Sequence, residues 1–102
     1  MRTESGLARA LWPKARRRIF GLLFVNPEGH WHLRAIARRT DLSPGTVQRE
    51  ITALHQAGIV TRREVGRQVQ YSANRDCPIF AELRGIVLKT IGLVDVLREA
   101  LA

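Results

Sequence analysis

Four small residues open an amphipathic segment of the chain: Ser43, Pro44, Gly45 and Thr46 directly precede VQREITALHQAGIV. A helix that only faces water usually carries charged residues such as Glu in its first turn. Small side chains and unpaired backbone N–H donors instead suit a first turn that lies close against a flat, charged surface. The pattern therefore indicates a helix whose N-terminus makes an intermolecular contact.

The helix that carries these residues is predicted to begin at Pro44 and to end before Gly58. Ser43 is of a type favoured at the N-cap, and proline is favoured at the first helical position. Gly58 suits the left-handed conformation that closes many helices. The apolar face of this predicted helix carries Val47, Ile51 and Leu54.

A shorter helix is predicted just upstream, over residues 33–40. Its arginines point outward because the buried positions recur at helical spacing, at Leu33, Ile36, Ala37 and Thr40. The three-residue turn Asp41-Leu42-Ser43 joins the two helices. Two helices joined by so tight a turn predict a helix-turn-helix.

The segments on either side predict a helix and three short strands. The helix begins at Pro13 and is stopped by Asn26 and Pro27. GHWHL is predicted as a very short strand. IVTRREVGRQVQYSAN alternates in polarity, which predicts two strands of a β-hairpin around Gly66-Arg67, with a basic tip.

The C-terminal quarter of the chain predicts one further helix. Asp76 or Cys77 is expected to cap it and Pro78 to begin it, and no stop signal follows before the chain end. Its apolar positions keep a 3-4 spacing at Phe80, Leu83, Val87, Thr90, Val94, Leu97 and Leu101. So wide an apolar arc exceeds what one small core covers, which predicts a contact with another helix or subunit.

The charge of the chain is strongly asymmetric. Its 102 residues are enough for one domain, and 17 Lys and Arg face 9 Asp and Glu, a net charge of +8. Residues 1–75 hold 14 basic and 5 acidic side chains, whereas residues 76–102 hold 3 and 4. This division favours a polyanionic partner for the body of the chain, with a merely solubilising surface as the alternative.

Cysteine content and hydropathy favour a cytoplasmic location. Cys77 is the single cysteine, which excludes an internal disulfide and fits a reducing compartment. KARRRIFGLLFV imitates a secretory signal, but its apolar run is short and no small-residue cleavage pattern follows. No segment approaches the roughly 20 apolar residues of a membrane span.

The order helix, short strand, helix-turn-helix and basic hairpin is that of a winged helix-turn-helix. DLSPGTVQREITALHQAGIVTRREVGRQVQYSAN resembles the winged-helix domain of ArsR-like transcriptional regulators. LWPKARRRIFGLLFVNPEGHWHLRAIAR and CPIFAELRGIVLKTIGLVDVLREAL are similar to winged-helix regions that precede a nucleotidyltransferase domain. The Gly-Ser and paired Asp signature of the nucleotidyltransferase itself does not occur, so the resemblance implies no enzymatic activity.

The resemblance implies that the second helix of the helix-turn-helix enters the DNA major groove by its N-terminal turn. The residues it places on DNA from that helix are Ser43, Pro44, Gly45, Thr46, Gln48, Arg49 and Thr52. Glutamine pairs with adenine and arginine with guanine. Arg34, Arg38 and Arg39 would meet phosphates, whereas Arg67 and Gln68 at the hairpin tip would meet the minor groove or backbone. Arg16, Arg17 and Arg18 fit a solvated helix face better than a contact surface.

Some relatives of this kind sense metals, but the ligands for a metal site are scarce in this sequence. His30 and His32 share a strand-like spacing without a third partner, His55 lies far along its helix, and Trp31 is better interpreted as a core residue. We therefore expect neither a metal nor another cofactor.

The predicted architecture is one domain in three parts: an N-terminal arm over 1–12, a winged helix-turn-helix over 13–75 and a long C-terminal helix over 76–102. The predicted function is sequence-specific binding of double-stranded DNA by a homodimeric regulator. The predicted dimer contacts are Leu7, Leu11, Trp12, Phe80, Leu83, Val87, Val94 and Leu97. Two alternatives stay open: a docking module for a nucleotidyltransferase domain, or a winged helix that binds only RNA or protein.

Overall fold

The structure is a computed structural model and describes residues 6–92. In chain order its elements are α1 (Gly6–Leu11), α2 (Lys14–Val25), α3 (Leu33–Thr40), α4 (Pro44–Gln56), β1 (Val60–Val65), β2 (Gln68–Ala73) and α5 (Phe80–Val87), with a π-helical turn over Leu88–Gly92. The predicted class, mainly helical with a small β-hairpin, is confirmed. Within residues 6–92, no helix has the length and apolar character needed to cross a membrane.

The junction between α3 and α4 has the predicted local geometry. Asp41 adopts a left-handed conformation with φ 57°, which turns the chain sharply after α3. Ser43 is the N-cap of α4, and its Oγ accepts a hydrogen bond from the Thr46 backbone N–H at 3.2 Å. Gly58 follows α4 with φ 81°, in the region that glycine enters without steric cost.

β1 and β2 form an antiparallel hairpin in which Val60 pairs with Ala73 and Val65 with Gln68. Gly66 has φ 63°, so the tight turn uses the residue type that tolerates it. The predicted third strand is reduced to an isolated bridge, where the Trp31 and Tyr71 backbones exchange two hydrogen bonds of 2.8 Å. This bridge attaches the hairpin to the segment that leads into α3.

One apolar core joins the helices to the hairpin. Its largest fully buried side chains come from α2, α3, α4, β1 and α5: Ile19, Leu23, Phe24, Ile36, Val47, Ile51, Val60 and Val87. Three ring contacts at centroid distances of 5.4–5.8 Å run from Trp12 through Phe20 and Phe24 to Phe80. The row of aromatic rings therefore packs the start of α2 and the start of α5 into the same core.

The start of the C-terminal helix differs from the prediction. α5 begins at Phe80, and its N-cap Ile79 makes no capping side-chain hydrogen bond. Asp76 and Cys77, the expected caps, lie instead in the turn before α5, where their backbone N–H groups donate to Oδ1 and the carbonyl oxygen of Asn74 respectively. The residues beyond position 92, where the helix was predicted to continue, lie outside the described residues.

Candidate nucleic-acid interface

The first turn of α4 presents small groups and backbone to the outside. Ser43, Pro44 and Gly45 are exposed, and a Cβ built on Gly45 would meet nothing within 4 Å. The packing of the chain itself therefore does not require a glycine there, whereas the close approach of an external surface would. The Ser43 hydroxyl also donates to Thr46 Oγ1 at 2.9 Å, which fixes both hydroxyls beside the helix N-terminus.

The predicted base-reading residues lie on the accessible side of α4 and form two pairs. Arg49 Nη2 donates to Thr46 Oγ1 at 3.4 Å, and Gln48 Nε2 donates to Thr52 Oγ1 at 3.1 Å. Gln48, Arg49 and Thr52 are exposed and Thr46 is half-buried. These contacts bring the four side chains into two small clusters.

The three arginines of α3 divide into two kinds. Arg34 and Arg38 are exposed, and within residues 6–92 neither has a hydrogen-bond or ion-pair partner. The guanidinium carbon of Arg39 instead lies 5.2 Å from the ring centroid of Trp31, a cation–π geometry. Trp31 is half-buried and packs against the core, as predicted, so Arg39 is held close to the base of the hairpin.

The hairpin tip is basic and exposed. Arg67 and Gln68 both face solvent at the turn. On the strands, Arg63 Nη2 donates to Gln70 Oε1 at 3.2 Å across the hairpin. Arg62 Nη1 lies 2.9 Å from Glu64 Oε2, and this hydrogen bond to Glu64 is the main cause of a raised pKa for Arg62.

The arginine run of α2 has a role that the sequence did not indicate. Arg16 Nε lies 2.8 Å from Glu50 Oε1 on α4. Arg17 Nη1 donates to the Trp12 carbonyl oxygen at 3.1 Å, and Arg18 Nη1 donates to the Thr40 carbonyl oxygen at 3.1 Å. The interpretation of the run as a solvated helix face is therefore wrong, because each guanidinium bonds to another part of the chain. The 34-residue separation of Arg16 and Glu50 leaves no local sequence signal for their pairing.

Comparisons with known proteins place this geometry in a described fold. Residues 18–64 match the family model of the IclR helix-turn-helix domain. The homodimeric winged helix-turn-helix DNA-binding domain of Mb0332 from Mycobacterium bovis, a possible ArsR-family transcriptional regulator, is 27% identical over 82% of this chain and 71% of that one, with a TM-score of 0.60. A search of curated proteins finds no significant match.

Two further solved structures agree in fold at lower identity. A predicted DNA-binding transcriptional regulator from E. coli is 17% identical over 81% of this chain and 80% of that one, with a TM-score of 0.62. Reduced HlyU from Vibrio cholerae is 18% identical over 79% of this chain and 77% of that one, with a TM-score of 0.58. The chain has the winged helix-turn-helix fold. In this fold α4 is the second helix of the helix-turn-helix, and the β1–β2 hairpin is the wing.

The predicted dimer contacts of the winged helix differ in their accessibility. Leu7 and Leu11 on α1 are 64% and 55% exposed. Trp12, Phe80 and Leu83 are half-buried against the core. Val87 is fully buried within the single chain, so its side chain has no surface left for a partner. The helical spacing identified an apolar arc correctly, but part of that arc covers the chain's own core. Val94 and Leu97 lie outside the described residues.

The histidines considered as metal ligands lie near the base of the wing. His32 Nδ1 is 3.2 Å from the Val69 carbonyl oxygen, which connects the start of α3 to β2. His30 and His55 are exposed, and Cys77 is half-buried. Among the described residues, no group of three or more His, Cys, Asp or Glu side chains could hold a metal ion.

Proposed function

We propose that the chain is a transcription regulator of ArsR-like type that binds specific double-stranded DNA sequences through α4 and acts as a homodimer. The observation that carries the proposal is the first turn of α4. Ser43 caps this turn through its Oγ, and Gly45 leaves its outer surface without a side chain. Gln48 and Arg49 follow in the next turn and are exposed. A helix N-terminus favours a phosphate, and the two side chains suit guanine and adenine edges in the major groove.

The other predicted contacts supply affinity without sequence information. These contacts lie on the elements that precede and follow α4 in the chain. Arg34 and Arg38 are exposed on α3, and Arg67 and Gln68 are exposed at the tip of the wing. In this proposal Arg34 and Arg38 bind phosphates, with Arg39 held over Trp31 as a more restricted contact of the same kind. Arg67 and Gln68 meet the minor groove or the DNA backbone. The cationic body of the chain would then release counterions from DNA on binding.

The homodimer would be built on the side of α1 and α5. Leu7 and Leu11 lie one helical turn apart and are exposed, as are Ile79 at the N-cap of α5 and Ile86 on α5. Exposed apolar side chains in such number favour a contact surface, and the related Mb0332 domain is homodimeric. Val94 and Leu97 stay in the proposal as the continuation of this surface. A two-fold axis would present two copies of α4 to successive turns of DNA.

Selection of bound duplexes from a random pool, followed by titration at several salt concentrations, tests the DNA-binding proposal. We expect an enriched sequence, and an affinity that falls by roughly 0.9 log units per log unit of salt for each phosphate contacted. No enrichment and salt-insensitive binding would overturn it. Selective binding of single-stranded RNA would favour the alternative of an RNA-binding winged helix.

Sedimentation at micromolar concentration tests the homodimer. We expect a dimer for the wild type and a monomer for Leu11→Glu, which places a charge in the proposed contact. Val65→Glu is the matched control because Val65 is also exposed and apolar but lies on the wing. A monomeric wild type would contradict the homodimer, and the apolar side of α1 and α5 would then fit a docking surface for another domain.

A further inference from the structure

The arginine run of α2 connects three parts of the fold. Successive residues of a helix point about 100° apart, so Arg16, Arg17 and Arg18 reach in three directions. Arg16 pairs with Glu50 on α4, Arg17 bonds to Trp12 just after α1, and Arg18 bonds to Thr40 at the end of α3. Both helices of the helix-turn-helix are therefore attached to α2 by a guanidinium.

The pair between Arg16 and Glu50 is well placed to fix the orientation of α4. Its N–O distance is 2.8 Å, and the two side chains are 36% and 24% exposed, so the contact is partly shielded from water. Glu50 follows Thr46 by four residues and therefore lies on the same flank of α4. A rotation of α4 about its axis would displace Glu50 and the neighbouring Arg49 together.

Arg18 fixes the other helix at the turn. The Thr40 carbonyl that it binds lies at the C-terminus of α3, where a cation is favourable to the helix dipole. The Thr40 hydroxyl also donates to the Ile36 carbonyl oxygen at 2.6 Å, so this end of α3 is firmly held. Val47, Ile51 and Leu54 bury one face of α4 in the core, and the ion pair adds a polar contact that favours one roll of α4 against α2.

We propose that Arg16 and Glu50 are positioning residues for DNA recognition: they touch no DNA but set the roll of α4 about its axis, and so the aim of Arg49 at a base edge. This inference rests on the proposed DNA-binding function. Bidentate base contacts tolerate misplacements of only about 0.5 Å or 10–20°. Loss of the pair would therefore lower the discrimination between a selected duplex and a mismatched one more than it lowers non-specific binding.

The direction in which each substitution changes DNA binding distinguishes a positioning role of the pair from an effect of net charge. Glu50→Gln removes a negative charge from the recognition helix, so long-range attraction alone would tighten binding to DNA. Arg16→Gln removes a positive charge, so the same attraction alone would weaken it. Positioning instead predicts that both substitutions reduce discrimination, because both break the same contact.

The experiment compares wild type, Arg16→Gln, Glu50→Gln and the double variant on a selected duplex and on the same duplex with one mismatched base pair at the Arg49 contact. We expect the ratio of the two affinities to fall about three- to tenfold in each single variant, and no further in the double variant. Lys14→Gln is the control for net charge, since Lys14 is an exposed cation on the same helix. Thermal unfolding of each variant shows that binding is measured on folded protein. If one single variant unfolds, the other tests the loss of the same contact.

Three results would overturn the inference. An unchanged affinity ratio in stable, folded variants would make the pair structural only. Tighter specific binding by Glu50→Gln, with a double variant like the wild type, would reduce the pair to a charge effect. Failure of the wild type itself to bind any duplex would overturn the proposed function along with the inference.

Discussion

The winged helix uses the same residue type in two opposite ways. Arg16, Arg17 and Arg18 stand together in α2, and each bonds to another segment of the chain. The arginines of the proposed DNA surface instead stand apart in sequence and are exposed: Arg34, Arg38, Arg49 and Arg67. The densest basic run in the sequence is therefore the one whose guanidinium groups bind within the fold.

The difference follows from helix geometry. Three consecutive helical residues cannot share a face, because each is rotated about 100° from the last. A contiguous run on a helix that packs on several sides therefore meets several neighbours, as α2 does. Arginines spaced along α3, α4 and the wing can all remain on accessible sides of their elements. The number of arginines in a segment thus says less about binding than the direction in which each one points.

The strongest test of the comparison is Arg17→Ala. Arg17 is 9% exposed, so the substitution removes a nearly buried side chain and the donor to the Trp12 carbonyl oxygen. We expect a loss of roughly 2–4 kcal/mol in the free energy of unfolding, from lost packing of the stem and from an unsatisfied carbonyl. Urea denaturation measures it. A loss no larger than that of an exposed arginine would place Arg17 with the surface group after all.

Arg49→Ala is the corresponding test for the surface group. Arg49 is exposed, and among residues 6–92 its side chain makes only a long hydrogen bond of 3.4 Å to Thr46, so the free energy of unfolding should barely change. Binding to a selected duplex should weaken by about 1–3 kcal/mol and lose its preference at one base position. Titration of the four duplexes that differ at that position measures the effect. Equal weakening on all four would make Arg49 a phosphate contact.

Local signals made much of the fold predictable. The cap at Ser43, the first-turn Pro44 and the left-handed Gly58 depend on a few neighbouring residues, and all are present as predicted. The hairpin turn likewise lies at Gly66-Arg67. The bridge between Arg16 and Glu50 was not predictable because it joins residues 34 positions apart.

In the C-terminal region, too, the sequence pattern could not identify contacts between distant residues. Periodicity identified the apolar arc of α5, but no sequence pattern could tell that Val87 covers the chain's own core rather than another subunit. The predicted start of α5 was also wrong: the expected caps lie in a turn before the helix, where their backbone N–H groups donate to Asn74. The DNA contacts themselves remain predictions, because their partner is a second molecule.

Arg38→Ala should have a smaller and more uniform effect than Arg49→Ala. Arg38 is exposed on α3, and we propose that it meets a phosphate, which carries no sequence information. Affinity should fall alike for selected and random duplexes, and the slope of log affinity against log salt should decrease by about 1. Parallel titrations at several salt concentrations measure both quantities. A loss confined to the selected duplex would mean that Arg38 reads a base.

Arg62→Gln is expected to have the smallest effect on stability. Arg62 shares one property with the arginines of α2 and another with the exposed arginines of the proposed DNA surface. Arg62 is bonded, like the arginines of α2, because its Nη1 lies 2.9 Å from Glu64 Oε2, yet it is exposed, like the arginines of the DNA surface. The hydrogen bond to Glu64 raises the pKa of Arg62 above its ordinary value, because it favours the charged guanidinium. A pair on the same strand in open solvent adds little to stability, since water and salt screen it.

We therefore expect the urea denaturation curve of Arg62→Gln to overlay that of the wild type within error. Arg17→Ala, measured in parallel, provides the contrast. A clear loss of stability in Arg62→Gln would show that bonding alone, without burial, makes an arginine structural in this fold. An unchanged curve, with a clear loss in Arg17→Ala, would show that the burial of Arg17 is what makes it structural.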